Sequence, residues 1–377
     1  MSRSLWTNME IEGATSARTD GRRWSASGVS IDSRKVQPKD IFIAFRGSRV
    51  DGHCYVADAF EKGAAAAIVE RKIDGLSEES PVLIVANVQK ALVQIACLAR
   101  KRSEAKFVAV TGSVGKTSSK NLLAKALAQF DSVHATIGNL NNHIGAPLSL
   151  ARLNGSSRFA VFELGMNNIG EIAFLSNLIR PKVALITNVH GVHLEQLKTE
   201  RAIAEAKAEI FNGLSENGSV VLNQDNPWID FLKSRAEKKG IKNIITFGED
   251  KKSDVQLLEW QSGEGKGFVK IRLNNETHQY VLSETGKHRA LNSVGVLAVV
   301  HALGLDIQHA AKCFKSISTP VGRGGQKHIN LTTEETFCLV DESYNASPVA
   351  MKSAFSVLKS MKPGPGGRKI IVIGDML

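Results

Sequence analysis

Phe107-Val108-Ala109-Val110-Thr111-Gly112-Ser113-Val114-Gly115-Lys116-Thr117-Ser118 is the stretch from which the rest of the chain can be read. A short apolar run meets two glycines and then a segment with Leu122, Leu123, Ala126 and Leu127 at helical spacing, so the order is strand, loop, helix. Such a loop turns successive backbone N–H groups and a helix N-terminus toward one point, where they bind an anion. Gly112, Ser113, Val114 and Gly115 form the cradle, Lys116 adds a mobile positive charge, and Thr117, followed by Ser118, offers a hydroxyl to Mg²⁺. The loop is a shortened G-x-x-G-K-T form, because Val110 stands where the longer G-x4-G-K-[ST] pattern has glycine. The alternative is a glycine turn that merely opens a helix; against it, Lys-Thr follows the second glycine directly after an apolar strand.

The 377 residues suffice for two or three domains with sizeable cores. Cys54, Cys97, Cys313 and Cys338 are widely separated, with neither zinc-site spacing nor the density of a disulfide framework, which fits a reducing compartment. No apolar run is long enough to span a membrane and the N-terminus has no signal-peptide core, so a cytoplasmic protein is expected. The net charge of +11 comes from dispersed residues whose longest run is Arg100-Lys101-Arg102, with few aromatics nearby. That pattern suits attraction of small polyanions and argues against nucleic acid as a partner.

Residues 1 to about 28 are polar, show little periodicity and read as a small edge structure or a frayed lead-in. A compact α/β domain follows, with strands at Ile41–Phe45, Ala66–Val69 and Val82–Val85 and helices at about 54–62 and 88–102. Its polar loops, Asp32-Ser33-Arg34 and Asp51-Gly52-His53, are candidate ligand contacts or plain turn chemistry. After the phosphate loop, Gly138-Asn139-Leu140-Asn141-Asn142-His143-Ile144-Gly145 offers uncharged donors and acceptors to a polar ligand, or asparagines that simply tolerate the turn. The strand Phe159–Phe162 delivers Glu163 at its C-terminal end, where ligands of parallel sheets sit. A further strand, Val183–Asn188, runs into Val189-His190-Gly191-Val192-His193-Leu194-Glu195.

Lys207 has Ile203, Ala204, Ile210 and Phe211 at helical spacing, which puts an ammonium on an apolar face without a carboxylate partner on its own helix. Either the charge snorkels out to water or something pairs with it or changes it. Beyond lie strands near 219–222 and 243–247, alternating stretches over 254–283, the helix opened by Gly286-Lys287-His288-Arg289-Ala290-Leu291-Asn292, and a linker around Arg323. A strand at Phe337–Val340 then leads into Asp341-Glu342-Ser343-Tyr344-Asn345-Ala346-Ser347-Pro348, a helix at about 348–360 and a last strand at Ile370–Ile373.

Together these stretches resemble the Mur ligases, ATP-dependent amide-bond-forming enzymes of peptidoglycan synthesis. The motifs DSR, FRGSRVDGH, TGSVGKT, GNLNNHIG, ELG, NVHGVHLE, AKAEIF, GKHRALN, GR, DESYNASP and IGDM come in the family's order from about Val29 onward. The asparagine loop and DESYNASP favour the step that adds D-alanyl-D-alanine to UDP-N-acetylmuramoyl-tripeptide over the amino-acid-adding steps. The resemblance implies an α/β, three-domain architecture: a UDP-substrate-binding domain over 1–103, a central P-loop ATP-binding domain with a parallel sheet over 104–320, and a Rossmann-like domain over 321–377 that is expected to be incomplete.

It further implies ATP and Mg²⁺ as cofactors and a monomer. Lys116 would contact the β- and γ-phosphates, Thr117 and Glu163 hold one Mg²⁺, and His193 help hold a second, while Lys207 matches the family's carbamylated lysine. Asn292 matches the adenine contact, and Arg323 and Asp341 match nucleotide contacts. Asp32, Ser33, Arg34, Asp51 and His53 match contacts to the uridine nucleotide, and Asn139 and Asn142 belong to a substrate loop. Two positions depart from the pattern: Arg289 stands where the family often has Asn, and Ser347 where YNANP is usual. A P-loop switch without ligase chemistry, or a fragment that binds without catalysing, are the alternatives; the Glu163, His193 and Lys207 set speaks against the first. Asp341 to Leu377 supplies too few elements to cover a sheet, so the strand at 370–373 is expected to keep an exposed edge or face.

Overall fold

The computed structural model describes residues 4–19, 21–191, 197–263, 265–317, 319, 321–331, 336–364 and 366–375. The chain divides into two compact units, the first comprising Met1–Lys106 with Thr136–Ala160 and the second Phe107–Ala135 with Val161–Leu377.

The first unit opens on a strand pair, β1 (Trp6–Thr7) and β2 (Ser25–Ala26), with helix α1 (Asn8–Thr15) between them. Of the two expectations for these residues, the small edge structure holds and the frayed lead-in does not. Thr7 and Glu10 form a reciprocal capping box that fixes the start of α1, and Trp6 and Ile11 are fully buried. The Trp6 indole donates to the Ala151 carbonyl at 2.8 Å, and the Arg102 guanidinium lies 3.7 Å from its ring centroid while bonding Glu10. Arg102 thus leaves the basic run to pack a core edge.

Four parallel strands follow in the order β3 (Gly28–Ser30), β4 (Asp40–Ile43), β5 (Ala66–Val69), β6 (Val82–Ile84). Phe42, Ala44, Val56, Ala67 and Val69 form a buried cluster beneath α2 (Val56–Glu61), and α3 (Val88–Lys101) presents an apolar stripe of Ala91, Leu92, Ile95 and Ala99.

The central sheet has nine strands in the order β15-β14-β13-β12-β11-β10-β7-β9-β8. These are β7 (Lys106–Thr111), β8 (Val133–Ala135), β9 (Phe159–Glu163), β10 (Val183–Ile186), β11 (Ser219–Asn223), β12 (Asn243–Gly248), β13 (Val255–Gly263), β14 (Lys266–Leu273) and β15 (Glu276–Leu282). Strand β7 runs parallel to β10 with Val108 opposite Val183, and the parallel pairing continues through β11 and β12 to β13. Strands β7, β9 and β10 are nearly continuous apolar runs because the sheet is covered on both faces. The alternating stretch beyond them is an antiparallel meander, β13–β15.

The helices of this region are α4 (Lys116–Leu127), α6 (Glu171–Ile179), α7 (Glu200–Ala208), α8 (Ile229–Lys238), α9 (Lys287–Ala302) and α10 (Ile307–Ala311), while α5 (Gly145–Ala151) belongs to the first unit. A hairpin of β16 (Gly325–Asn330) and β17 (Thr336–Asp341) leads to α11 (Pro348–Ser360), started by the Ser347 side chain with Pro348 behind it. Residues 370–373 form no strand, contrary to expectation. Val372 is 94% exposed, and a β-prone run without a neighbouring ladder has nothing to satisfy its backbone but water.

Candidate active site

Gly115 has φ +83°, and a Cβ there would stand 2.8 Å from the Asn292 amide oxygen. Glycine is thus required both by the left-handed turn and by the approach of α9 to the loop. Residues just past β10 build the rest of the cradle. Ser113 N–H donates to the Asn188 carbonyl, Ser113 Oγ to the His190 carbonyl, and His190 N–H back to Ser113 Oγ. Asn188 Oδ1 accepts from Val114 N–H at 3.0 Å, and Thr187 Oγ1 donates to the Val114 carbonyl at 2.6 Å. The loop is therefore clamped from the neighbouring strand and needs no ligand to hold its curl.

Four cations converge on it. Lys116 Nζ donates to the carbonyls of Gly112 at 2.7 Å and Ser113 at 3.3 Å. Burial lowers its pKa, with the Glu163 carboxylate opposing that shift and the Arg323 charge adding to it. Lys120, one turn further along α4 and buried, responds to burial, Glu163 and Arg323 in the same senses. Lys207 is 2% exposed, which excludes snorkelling, and its Ile203, Ala204, Ile210 and Phe211 neighbours in sequence are buried too. Among the described residues no carboxylate lies within ion-pair distance of it, and burial, then Lys116, drives its pKa well below that of an ordinary lysine. Glu163, 2% exposed at the end of β9, is the carboxylate that both Lys116 and Lys120 feel. His190 is pushed down by burial, with Glu200 opposing.

Of the remaining candidates in this unit, Asn292 faces Gly115. Arg323 stacks on Tyr344 with its guanidinium 4.1 Å from the ring centroid. The Asp341 carboxylate accepts from Ser343 N–H and Oγ, which hold it below the usual carboxylate range. Beside α4 opens a cleft of about 450 Å³, including its mouth, lined in part by Ser118, Asn121, Leu282, Glu284, Arg289 and Asn292. His193 lies outside the described residues. Lys120 and Arg289 were not singled out for this site by sequence; Lys120 had a signal, since Leu123 and Leu127 follow it at the spacing of one helix face.

The first unit holds the other candidates. Asp32 caps a single 3₁₀ turn, Ser33–Lys35, and forms a bidentate pair with the exposed Arg34 guanidinium, both bonds 2.9 Å. Ser33 is buried and its carbonyl accepts from Lys62. Asp51 caps the next 3₁₀ turn, Gly52–Tyr55, accepting from the His53 N–H at 3.0 Å, from Arg71 at 3.0 Å and from the His53 ring at 2.6 Å, which together keep it ionised far into acid. The His53 ring is buried, and its Nε2 accepts from Glu70 N–H, which assigns the proton to Nδ1 facing Asp51. Both ring nitrogens are spent inside the unit, so His53 orients Asp51, while Arg71, missed in sequence, stands at the surface. Asn142 Oδ1 accepts from Ile144 and Gly145 N–H and so starts α5, and Asn139 is exposed.

Among the described residues no group of three His, Cys, Asp or Glu side chains stands ready to hold a metal, and no helix is long and apolar enough to cross a membrane.

Residues 110–300 match the Mur ligase middle domain, and residues 25–100 match the Mur ligase family, catalytic domain. The UDP-N-acetylmuramoyl-tripeptide--D-alanyl-D-alanine ligase of Rickettsia prowazekii is 37% identical over 350 residues, covering 93% of this chain and 76% of that protein. The ligase of the same name from Escherichia coli is 33% identical, covering 92% and 74%. Among solved structures, MurF from Acinetobacter baumannii superposes with a TM-score of 0.84 at 30% identity, covering 95% of this chain and 77% of that one. MurF ligase from Thermotoga maritima in complex with ADP gives 0.75 at 30% identity, covering 90% and 76%. The clamped phosphate loop, the carboxylate at the end of β9 and these matches along nearly the whole sequence lead to one assignment: the chain belongs to the Mur ligase family.

Proposed function

We propose that this chain is an ATP-dependent ligase that joins D-alanyl-D-alanine to UDP-N-acetylmuramoyl-tripeptide, a step of peptidoglycan precursor synthesis carried out in the cytoplasm. The observation that carries the chemistry is the gathering of Lys116, Lys120 and the Arg323 charge about the buried Glu163 carboxylate, with Lys207 buried within reach of the Lys116 charge. So many poorly hydrated cations are tolerable only where a polyanion offsets them. The relatives' printed activity and the ADP bound in the Thermotoga structure identify the polyanion and the second substrate.

In this reading the tripeptide's terminal carboxylate attacks the γ-phosphorus of ATP, ADP leaves, and an acyl phosphate remains. The amine of D-alanyl-D-alanine then attacks the acyl carbon and inorganic phosphate departs. Lys116 and the N–H groups of Gly115 to Ser118, which the Asn188 clamp leaves out, offset charge that grows on the transferring phosphoryl group. Asn292 faces the adenine, and Arg323 and Asp341 contact the rest of the nucleotide. Asp32, Ser33, Arg34 and Asp51 bind the uridine end with His53 behind Asp51, and Asn139 and Asn142 meet the peptide. The domain division at 103 and 320 belongs to this proposal; what supports its first boundary is the gap between the family matches over 25–100 and 110–300.

Mg²⁺ fits the donors present. The Thr117 hydroxyl and the Glu163 carboxylate are hard oxygen ligands, and His193 would serve a second ion. When bound, the metal would neutralise phosphate charge. A buried ammonium at Lys207 would repel that ion, whereas a neutral amine can add CO₂, release a proton and become a carbamate that attracts it. The depressed pKa of Lys207 favours the neutral amine this addition needs.

The test is a mass measurement. Incubation with UDP-N-acetylmuramoyl-tripeptide, D-alanyl-D-alanine, ATP and Mg²⁺ should yield one pentapeptide product per ADP, with ADP release dependent on the tripeptide. ADP release indifferent to the tripeptide would overturn the ligase reading.

A further inference from the structure

Arg289 is one of the two positions that depart from the pattern the sequence resembles, and its surroundings are unlike those of a surface arginine. The side chain is 10% exposed and reaches three segments at once. Its Nη1 donates to Ser118 Oγ at 3.0 Å, on the first turn of the phosphate-loop helix, and to the Glu284 carboxylate at 3.1 Å, ahead of α9. Its Nη2 donates to the Arg323 carbonyl. A guanidinium is the one side chain whose fixed fork can serve such a divergent set of acceptors; an asparagine amide is too short and has two N–H bonds.

The turn that carries Arg323 is shaped for this contact. Gly322 and Gly324 flank Arg323 with φ of +73° and +85°. A Cβ on Gly324 would lie 2.7 Å from Glu342 Oε1 and 3.2 Å from Arg289 Nη2, so the backbone approaches the guanidinium as closely as glycine allows. The turn is fastened to the end of the hairpin through Gly324 N–H to the Asp341 carbonyl at 2.7 Å and Tyr344 N–H to the Gly322 carbonyl at 3.1 Å. The Arg323 charge reaches Lys116 and Lys120, with the Glu342 carboxylate as a counter-charge to both Arg323 and Arg289.

We propose that Arg289 is a positioning residue that ties the Gly322–Gly324 turn, and with it Arg323, to the head of the phosphate-loop helix, holding the last segment of the chain in register with the nucleotide site. The tie is a property of this chain's own contacts; only its effect on nucleotide affinity rests on the function proposed above.

The test uses the full chain and the variants Arg289→Lys and Arg289→Gln. Hydrogen–deuterium exchange without nucleotide should quicken across residues 321–326 in both variants, while strand β7 keeps its protection. The Kd for ADP should rise about tenfold, the worth of one charge-assisted hydrogen bond, with affinity for the UDP-substrate unchanged. Lysine keeps the charge and loses the fork, so full rescue by Arg289→Lys would reduce the role to charge alone and overturn the tie. Unchanged exchange over 321–326 would overturn it too, as would exchange that quickens equally in β7, which marks general loosening. Failure of the unaltered chain to bind ADP would sink the proposed function instead, and the exchange data would then decide the tie without it.

Discussion

The two polar regions of the molecule treat charge in opposite ways. In the first unit, Arg34 is exposed and paired with Asp32, Arg71 is exposed and paired with Asp51, and His53 is buried but bonded at both nitrogens. In the second, Lys116, Lys120 and Lys207 are withdrawn from water, the first two within reach of the Glu163 carboxylate, and burial lowers the pKa of all three. The first region is complete in itself and can lend its solvent-facing groups to a ligand at small cost, since exposed ion pairs are weak. The second carries an electrostatic penalty that a bound anion or a chemical change would relieve. In the proposed function, recognition by loose pairs and catalysis by stored charge would thus be separated in the chain.

The comparison breaks most severely at Lys116. Lys116→Ala removes the loop's mobile charge and should slow tripeptide-dependent ATP turnover by about a hundredfold or more, as seen when a transition-state charge contact is lost. Steady-state ADP release would check it, and near-normal turnover would remove the phosphate loop from the mechanism. Lys207→Ala comes next, with an expected loss of roughly ten- to a hundredfold if a carbamate supports the metal. Acetate should restore part of that loss, and native mass should show the adduct on the unaltered chain; full activity without acetate would contradict the carbamate.

One histidine sharpens the contrast through pH. Burial, then Arg289, pushes the pKa of His288 down to about 4 from an ordinary 6.5. The unfolded chain takes up this proton below about pH 6.5 and the folded chain only below about 4. Stability from His288 is therefore complete above pH 6.5 and is lost as pH falls toward 4, by about 2 kcal/mol between pH 7 and 5. Urea titrations at the two pH values should register that loss, and His288→Gln should shrink it; an equal loss in the variant would assign it to other groups. The smallest effect belongs to the exposed region. Arg34→Lys keeps the charge but not the fork, and should weaken binding of the UDP-sugar peptide by about tenfold or less. Calorimetry that finds no change would move the uridine site away from this loop.

What could be read from sequence follows the range of the forces involved. The strand Phe107–Thr111 was legible because a strand buried on both faces is an uninterrupted apolar run, and Lys207 because its apolar neighbours lie within one helical turn. Helix α1 was not recognised, since Trp6 is buried by Ala151 and Arg102, far away in sequence. Its local signal, the Thr7–Glu10 capping box, was present. The expected strand at 370–373 failed for the converse reason: β-propensity records compatibility with a sheet, and among the described residues no strand pairs with it. The inward turn of His53 depends on Glu70, and the reach of Arg289 on residues as remote as Ser118; neither leaves a pattern along the chain.

The clamp on the phosphate loop also sets a timetable. Ser113 is held by His190, Val114 by Asn188, and Ser118 by Arg289, so the partners lie 77, 74 and 171 residues downstream. A chain emerging from the ribosome therefore presents its loop before the groups that curl it exist, and 171 residues of synthesis must pass in stages before the last of them arrives. The first unit meets the same delay, because Trp6 waits for Ala151. Loop closures of this span slow the search for the native state and leave apolar strands such as Phe107–Val110 uncovered in the interval. For this protein, the nascent chain's period of greatest exposure to misassociation lies between the synthesis of its most diagnostic sequence and that of the residues that give the sequence its shape.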